Sequence, residues 1–389
     1  MTFSADEINV RDATAAFARR VLAPGLRAWE KAGAIPRPVL DEMGAAGIFG
    51  MMMAPEWGGS GASFTAFILA VEEIAACGGG ISTTVHVHNL GAGLVLERHG
   101  TPAQKSAWLP RMAGGECIGA FCLTEPQAGS DASNLRTRAV RDGDHYVLNG
   151  AKQFITNARI AGVFLVVAVT EPAHRAKGLT IFIVPNDTPG LRVGPAEDKL
   201  GQRVSDTAQV FFEECRVPAA NVLGTVDGGY ALTLSMLSDG RVSVAAQAVG
   251  FARAAFEAAR RYAFEREAFG KKIAAHQALA FRLADMDTAI EIARSYVHRV
   301  ARMVERGECC AREASMAKLF ATTMAERVCT DAIQIHGGYG YLEDYDVARL
   351  YRDQRVCQIY EGTNDMQRLI ISRALAAETD LPGAGRGSG

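Results

Sequence analysis

The sequence predicts an α+β protein in three successive blocks: helical, then antiparallel β, then helical again. Three observations predict it. Thr101-Pro102-x-Gln104 places a cap residue, a proline at the first helical position and a glutamine three after the cap, a clear helix start in the first block. The runs Val163–Thr170 and Leu179–Val184 are β-branched, apolar and bounded by glycine and proline, which marks strands. Leu279, Leu283, Met286, Ile290, Ala293, Val297, Val300 and Val304 are spaced 4,3,4,3,4,3,4, the period-3.5 seam of a helix packed in a bundle.

The first block is expected over 1–116. Ser4-x-x-Glu7 has the form of a capping box ahead of an Ala- and Arg-rich run to Leu22. Pro55-Glu56-Trp57-Gly58-Gly59-Ser60-Gly61 is too densely punctuated for a helix and reads as a loop. The middle block is expected over 117–227. Within it, Tyr146 to Ile155 reads as two strands joined at an Asn149-Gly150 turn. Val210–Phe212 and Val217 continue the β pattern. No Gly-x-Gly-x-x-Gly opens a helix after a strand, so a Rossmann-type dinucleotide fold is not expected. The third block is expected over 228–378. Gly307 ends the seam helix, and Ala311–Ile333 reads as another good helix. The Gly-rich tail, 379–389, is expected to be disordered.

Composition narrows the function classes. The chain has 389 residues, 49% hydrophobic and 22% charged, which suits a globular protein and not a disordered one. Its formal net charge of −2 lacks the basic excess of a nucleic-acid binder. The longest clean apolar run, Val163 to Val169, is far short of the roughly 20 residues a membrane-spanning helix needs. Met1 to Val10 carries Asp6 and Glu7 and no basic-then-apolar pattern, so no targeting segment is expected and the localisation reads as cytoplasmic. The eight cysteines include no Cys-x-x-Cys and read as reduced, mostly buried small hydrophobes.

Hydrolase and metal motifs are missing: there is no Gly-x-Ser-x-Gly, His-Glu-x-x-His or Walker loop, and no metal is expected. His86 and His88 diverge on a helix and share a face on a strand. Without a third ligand they read as polar residues near a pocket or surface. Three segments stand out. Phe121 to Asp131 is a strand end followed by a loop of Thr, Ser and Gly that can present N–H groups and hydroxyls to a polar ring or phosphate; a solvated turn has the same composition. Gln334-Ile335-His336-Gly337-Gly338 follows a helix, whose end alone explains the glycines. Ile359-Tyr360-Glu361-Gly362-Thr363-Asn364 sets a carboxylate among apolar neighbours. Glu361 reads either as a general base or as a helix-start acid ahead of capping Thr363 and Asn364, and spacing leaves both open.

Together these segments resemble the acyl-CoA dehydrogenase family. The resemblance runs from about residue 5 to 376 and includes Pro55-Glu56-Trp57-Gly58-Gly59-x-Gly61, Leu148-Asn149-Gly150-x-Lys152-x-Phe154-Ile155-Thr156-Asn157, Asp198-Lys199-Leu200-Gly201, Arg266-x-x-Phe269-Gly270, Leu283-Ala284-Asp285-Met286 and Tyr351-Arg352-Asp353. It implies an N-terminal helical domain, a middle β-domain and a C-terminal four-helix bundle. It also implies bound FAD between the β-domain and the bundle, with the ADP part reaching a neighbouring subunit of a homotetramer built as a dimer of dimers.

Residue by residue, the resemblance implies that Phe121, Leu123, Thr124, Gly129 and Ser130 lie along the flavin and ribityl chain, Thr124 and Ser130 offering hydroxyls. Phe154, Ile155 and Thr156 match the strand beside the flavin, with Thr156 near N5. Phe154 stands where many relatives carry tryptophan, so an indole hydrogen bond is lost there. Arg266 matches the arginine that crosses the subunit interface to the pyrophosphate, and a guanidinium fork suits phosphate oxygens. Phe269, Gln277, Gln334, Ile335, Gly337 and Gly338 match further adenosine and pyrophosphate contacts; Thr363 and Asn364 match the last FAD contacts.

Glu361 matches the base that takes the α-proton of an acyl-CoA thioester while the β-hydrogen leaves as hydride to flavin N5, giving the trans-2-enoyl-CoA. The Glu361 backbone N–H and a ribityl hydroxyl would polarise the thioester carbonyl. A side chain at Gly362 would crowd that thioester. Some relatives carry the base near position 240, and here Gly240 leaves Glu361 as the single candidate. Ser130, Ser238 and Arg241 match substrate contacts, although the usual aspartate three before the arginine is Ser238, with Asp239 one step later. Residues 78 to 97 contain no Arg or Lys, against a dicarboxyl-CoA substrate; the sequence leans toward short or short branched acyl chains. Electrons would pass to an electron-transferring flavoprotein. A same-fold oxidase using dioxygen and a catalytically silent acyl-CoA-binding flavoprotein are the alternatives.

Overall fold

The computed structural model describes residues 2–378, and the expected disordered tail, 379–389, lies outside them. The first block contains α1 (Ala5–Phe17), α2 (Leu26–Ala32), α3 (Arg37–Ala45), α4 (Phe64–Cys77), α5 (Gly79–His86), α6 (Val95–His99) and α7 (Pro102–Ala113). Both capping boxes form. Ser4 Oγ accepts from the Glu7 N–H while Glu7 accepts from the Ser4 N–H, and Thr101 and Gln104 exchange the same pair of bonds. α4 is apolar nearly all round and correspondingly buried, the pattern of a helix with neighbours on every side. A π-helical stretch, Val87–Leu94, follows α5 directly. Such wide turns recur at functional sites.

The middle block is an eight-stranded sheet of β1 (Ile118–Cys122), β2 (Arg138–Asp142), β3 (His145–Thr156), β4 (Ala161–Val169), β5 (Leu179–Pro185), β6 (Leu191–Ala196), β7 (Thr207–Pro218) and β8 (Val222–Leu223). The order is β6-β7-β3-β2-β4-β5-β8, with β1 beside β4. Pairing is antiparallel except for β1 with β4 and one β2–β4 bridge. The unbroken apolar run in β4 has a simple cause. Val163, Leu165 and Val167 pack toward the helices, while Phe164, Val166 and Ala168 pack into the sheet's other core. A strand buried on both faces needs no alternation.

The expected Asn149-Gly150 turn is a correction. β3 runs straight through both residues. Gly150 sits at φ 151°, its pairing with β7 shifts register there, and a Cβ would lie 2.6 Å from Thr137 Oγ1. The glycine answers a bulge and a close approach, not a hairpin. The hairpin joins β2 to β3 at Gly143, where φ is +62°.

The third block has α8 (Gly229–Glu265), a ribbon of β9 (Glu267–Ala268) and β10 (Lys271–Lys272), α9 (Gln277–Glu305), α10 (Ala311–His336), α11 (Asp346–Gln354) and α12 (Asn364–Glu378). Leu283, Met286, Ile290, Ala293, Val297 and Val300 of the seam are buried, while its end residues Leu279 and Val304 are partly covered. α8, α9 and α10 pack mutually and α12 lies on α10, completing the four-helix bundle; α4 crosses onto α8 and α9. This joins the first and third blocks into one helical core, with the sheet against its side. Among the described residues no helix is long and apolar enough to cross a membrane.

Candidate active site

The turn after α11 presents Glu361 in the left-handed region, φ +54°, followed by Gly362 at +85°. A non-glycine residue held there is uncommon and often marks function. Three anchors fix the turn. Tyr360, partly buried against the helical core, donates from its hydroxyl to Gln247 Oε1 at 2.5 Å. The Lys318 ammonium of α10 donates to the Gly362 carbonyl at 2.8 Å, and Gln367 Nε2 donates to the same oxygen at 2.8 Å. Burial pulls the Lys318 ammonium down to about 8. The Thr363 hydroxyl accepts from the Met366 N–H, so the capping role foreseen for it is real and coexists with the turn. Asn364 bonds to Thr322.

The Glu361 carboxylate points at α8, where a Cβ on Gly240 would lie 2.6 Å from Oε2. Oε2 is buried and has no hydrogen-bond partner among the described residues. Oε1 lies 3.5 Å from His86 Nε2, and His86 Nδ1 lies 2.9 Å from Ser243 Oγ. Arg241, next to Gly240, is buried with an unpartnered Nε; burial pulls its guanidinium down and the Glu361 charge only partly offsets this. Asp239 does not approach Arg241 as an ion partner. It pairs with Arg98 at 2.8 Å.

A second group lies at the sheet. The Gln153 N–H donates to the Thr124 carbonyl at 2.8 Å, drawing Phe121, Leu123 and Thr124 beside Phe154, Ile155 and Thr156. The loop between Thr124 and Arg136 is held by a buried pair: Lys152 Nζ donates to Glu125 Oε1 at 2.8 Å and to the Leu123 carbonyl at 3.0 Å. Glu125 also accepts from the N–H groups of Arg136 and Thr137. Burial pushes this carboxyl up, but Lys152 and those donors outweigh it and hold it below the usual range. Gly129 and Ser130 stand exposed on the loop. Phe154, at φ +57°, leaves 63% of itself in solvent beside buried Ile155.

A third group forms an open cleft of about 500 Å³ at the end of the bundle. Arg266, Gln334, Ile335, Gly337 and Gly338 line it, with the Arg266 guanidinium 5.7 Å from the Tyr339 ring. None of residues 121–130, 154–156 or 361–364 lines it. Nothing lies within 4 Å of where Cβ atoms would stand on Gly337 and Gly338, so the backbone there is open to a ligand. Gln277 and Phe269 are exposed nearby in sequence, Phe269 by 95%.

The structure thus places the expected segments in three separate groups and adds contacts that sequence reading missed. Both histidines are buried, which corrects their reading as polar residues near a pocket or surface for His88. His88 accepts the Gly119 N–H and faces the Met112 carbonyl, and burial pulls it down to about 4. His86 reaches Glu361 instead. Ser243 and Lys318 were also unread, because nothing in local spacing says which helix faces the turn. Gly362 needs no substrate to explain it: its φ is positive, and a Cβ would meet Gln367 Nε2 at 2.9 Å. All eight cysteines are free, and among the described residues no group could hold a metal ion.

The donors fit a flavin nucleotide: an exposed aromatic and hydroxyls at the sheet, and an unpaired guanidinium with bare glycines in the cleft. Residues 4–116, 120–215 and 227–376 match the acyl-CoA dehydrogenase N-terminal, middle and C-terminal domains. An acyl-CoA dehydrogenase of Bacillus subtilis (strain 168) is 42% identical over 380 residues, 97% of this chain and 100% of the relative. The structure of butyryl-CoA dehydrogenase from Megasphaera elsdenii superposes with a TM-score of 0.94 at 38% identity, covering 96% of this chain and 99% of that one. A glutaryl-CoA dehydrogenase from Mycobacterium smegmatis in complex with FADH2 superposes at 0.92 with 30% identity, covering 96% and 95%. On a fold, a domain order and a sequence that agree along almost the whole length, the chain belongs to the acyl-CoA dehydrogenase family of FAD-dependent oxidoreductases.

Proposed function

We infer that the protein oxidises a short acyl-CoA thioester to its trans-2-enoyl-CoA, with Glu361 as the base. One observation carries this reading: a carboxylate on a strained, triply anchored turn keeps one buried oxygen, Oε2, without a donor among the described residues. A base must accept a proton in the transition state, and an oxygen already saturated by donors accepts poorly. Gly240 supports the assignment, since it removes any competing carboxylate and makes the space Glu361 fills. No acceptor among the described residues takes the Glu361 backbone N–H, so it is free to donate to a thioester oxygen as enolate charge develops. Arg241, buried and unsatisfied at Nε, suits an anionic or carbonyl-rich substrate chain, with Ser238 nearby on α8. FAD, when bound, supplies the acceptor for the β-hydrogen. Phe121, Leu123, Thr124, Gly129, Ser130, Phe154, Ile155, Thr156, Thr363 and Asn364 would hold its flavin side.

The cleft at Arg266 is proposed to take the ADP part of a partner subunit's FAD, with Phe269, Gln277 and Gln334–Gly338. Its separation from the Glu361 turn supports sharing across a dimer, as does the exposure of Phe269, Phe281 and Tyr341 beside it in sequence. The assembly would be a homotetramer passing electrons to an electron-transferring flavoprotein, the partner that the family resemblance implies. An anaerobic visible spectrum before and after butyryl-CoA tests the reaction. The reading predicts bleaching of the flavin band and formation of crotonyl-CoA. A flavin band unchanged by butyryl-CoA and by branched short-chain thioesters would refute it.

A further inference from the structure

His86 is a buried titratable group that the reaction above does not use. It closes α5, just before the π-helical stretch, and its ring is enclosed. One nitrogen meets Ser243 Oγ on α8 at 2.9 Å, and the other meets Glu361 Oε1 at 3.5 Å. The chemistry of the pair sets the tautomer. A carboxylate only accepts, so the nitrogen facing it must carry the proton. In a neutral ring Nδ1 is then a lone pair, which can accept from the Ser243 hydroxyl. The second distance is at the long end for a hydrogen bond, as catalytic contacts often are before substrate binds.

The other charged groups facing Glu361 do different work. Lys318, on α10, spends its ammonium on the Gly362 carbonyl, and Arg241, on α8, makes no hydrogen bond to either carboxylate oxygen. Of the flanking turn residues, Tyr360 and Cys357 face each other at 3.4 Å. Thus His86 supplies the sole hydrogen bond to the Glu361 side chain among the described residues. We propose that His86, oriented by Ser243, is a positioning residue that ties down Glu361 Oε1 and so leaves Oε2 as the oxygen that takes the proton. The proposal rests on the reading of Glu361 as the base. It adds a residue from the N-terminal domain to the site and makes the Glu361 rotamer depend on α5 and α8 together.

Three variants of the FAD-loaded protein test it: His86→Leu removes the donor at similar volume, His86→Gln keeps an amide donor, and Ser243→Ala frees the ring without touching Glu361. The first readout is anaerobic flavin reduction by butyryl-CoA. His86→Leu should slow it by about 10-fold or more, toward the roughly 100-fold that a ~1 Å misplacement costs, with KM changed less than about 3-fold; His86→Gln should recover most of the rate, and Ser243→Ala should fall between. The second readout needs no turnover: the infrared carboxylate stretch of Glu361, identified by its loss in Glu361→Gln, should shift in His86→Leu and return in His86→Gln. An unshifted band with a wild-type rate in both His86→Leu and Ser243→Ala overturns the proposal. If His86→Leu fails to fold, Ser243→Ala alone decides by the same two readouts. Glu361→Gln run alongside separates the two ideas. Near wild-type reduction there refutes the base itself, whereas a slow Glu361→Gln beside unaltered His86 and Ser243 variants refutes only the positioning role.

Discussion

The Glu361 turn and the Arg266 cleft are built in opposite ways. At the turn, a strained carboxylate is enclosed by side chains from α5, α8 and α10 that tie down the backbone around it, while Glu361 Oε2 and Arg241 Nε have no partner among the described residues. At the cleft, a guanidinium stands in solvent over a tyrosine ring, bare glycines face outward, and Phe269 is almost wholly exposed. The first is finished within one chain. The second has the donors of a binding site and lacks a second wall. The difference fits the proposed division of labour, in which chemistry is preorganised in the turn and recognition at the cleft is shared with another surface.

The sharpest way to break the comparison is Glu361→Gln. It should slow flavin reduction by the roughly 10²–10⁴ of a general base while leaving FAD content per subunit unchanged. Stopped-flow reduction and absorbance at the flavin band read both. Next comes Gly240→Ala. Its Cβ would stand 2.6 Å from Glu361 Oε2, so the carboxylate must move. About a 100-fold loss in rate is expected from such a displacement, although alanine in a helix raises stability by up to ~1 kcal/mol. A slower enzyme with an unchanged or higher Tm would place the effect on the site. An unchanged rate would show that the turn has slack.

Arg266→Ala should act on the other region alone. Loss of a charge-assisted phosphate contact worth about 1.5–3 kcal/mol weakens FAD by roughly 10- to 100-fold, with the subunit still folded. Flavin retained on gel filtration at wild-type affinity would make Arg266 only a surface charge. The smallest expected effect concerns Lys318. Burial holds its ammonium near 8, against an unfolded value near 10.5. Between those values the unfolded chain binds the extra proton, so this group's contribution to stability rises with pH from about 8 to about 10.5. Wild type should therefore gain a few degrees of Tm relative to Lys318→Met across that window. A difference constant with pH would contradict the buried charge.

Periodicity and capping carried most of the fold. The capping boxes at Ser4 and Thr101 and the seam from Leu283 to Val300 need only local rules, and they hold. Asn149-Gly150 misled because the same dipeptide serves a hairpin and a bulge, and only the close approach of Thr137 separates them. In the site, resemblance pointed to the segments, and the structure shows which of them share a wall. His86, Ser243 and Lys318 lie 275, 118 and 43 positions from Glu361 in sequence; such contacts come from helix packing, which no local pattern encodes.

The claim that one FAD joins one chain's turn to its partner's cleft is tested most directly by mixing subunits. Glu361→Gln and Arg266→Ala chains are dissociated, combined in equal amounts, reassembled and loaded with FAD at a concentration that leaves Arg266→Ala largely empty. In a hybrid dimer, one site then draws an intact Glu361 from the Arg266→Ala chain and an intact Arg266 from the Glu361→Gln chain. The account predicts that the mixture reduces flavin with butyryl-CoA at a substantial fraction of the wild-type rate, well above the sum of the two parents. Activity equal to that sum, in mixtures shown by mass to contain hybrids, would contradict it.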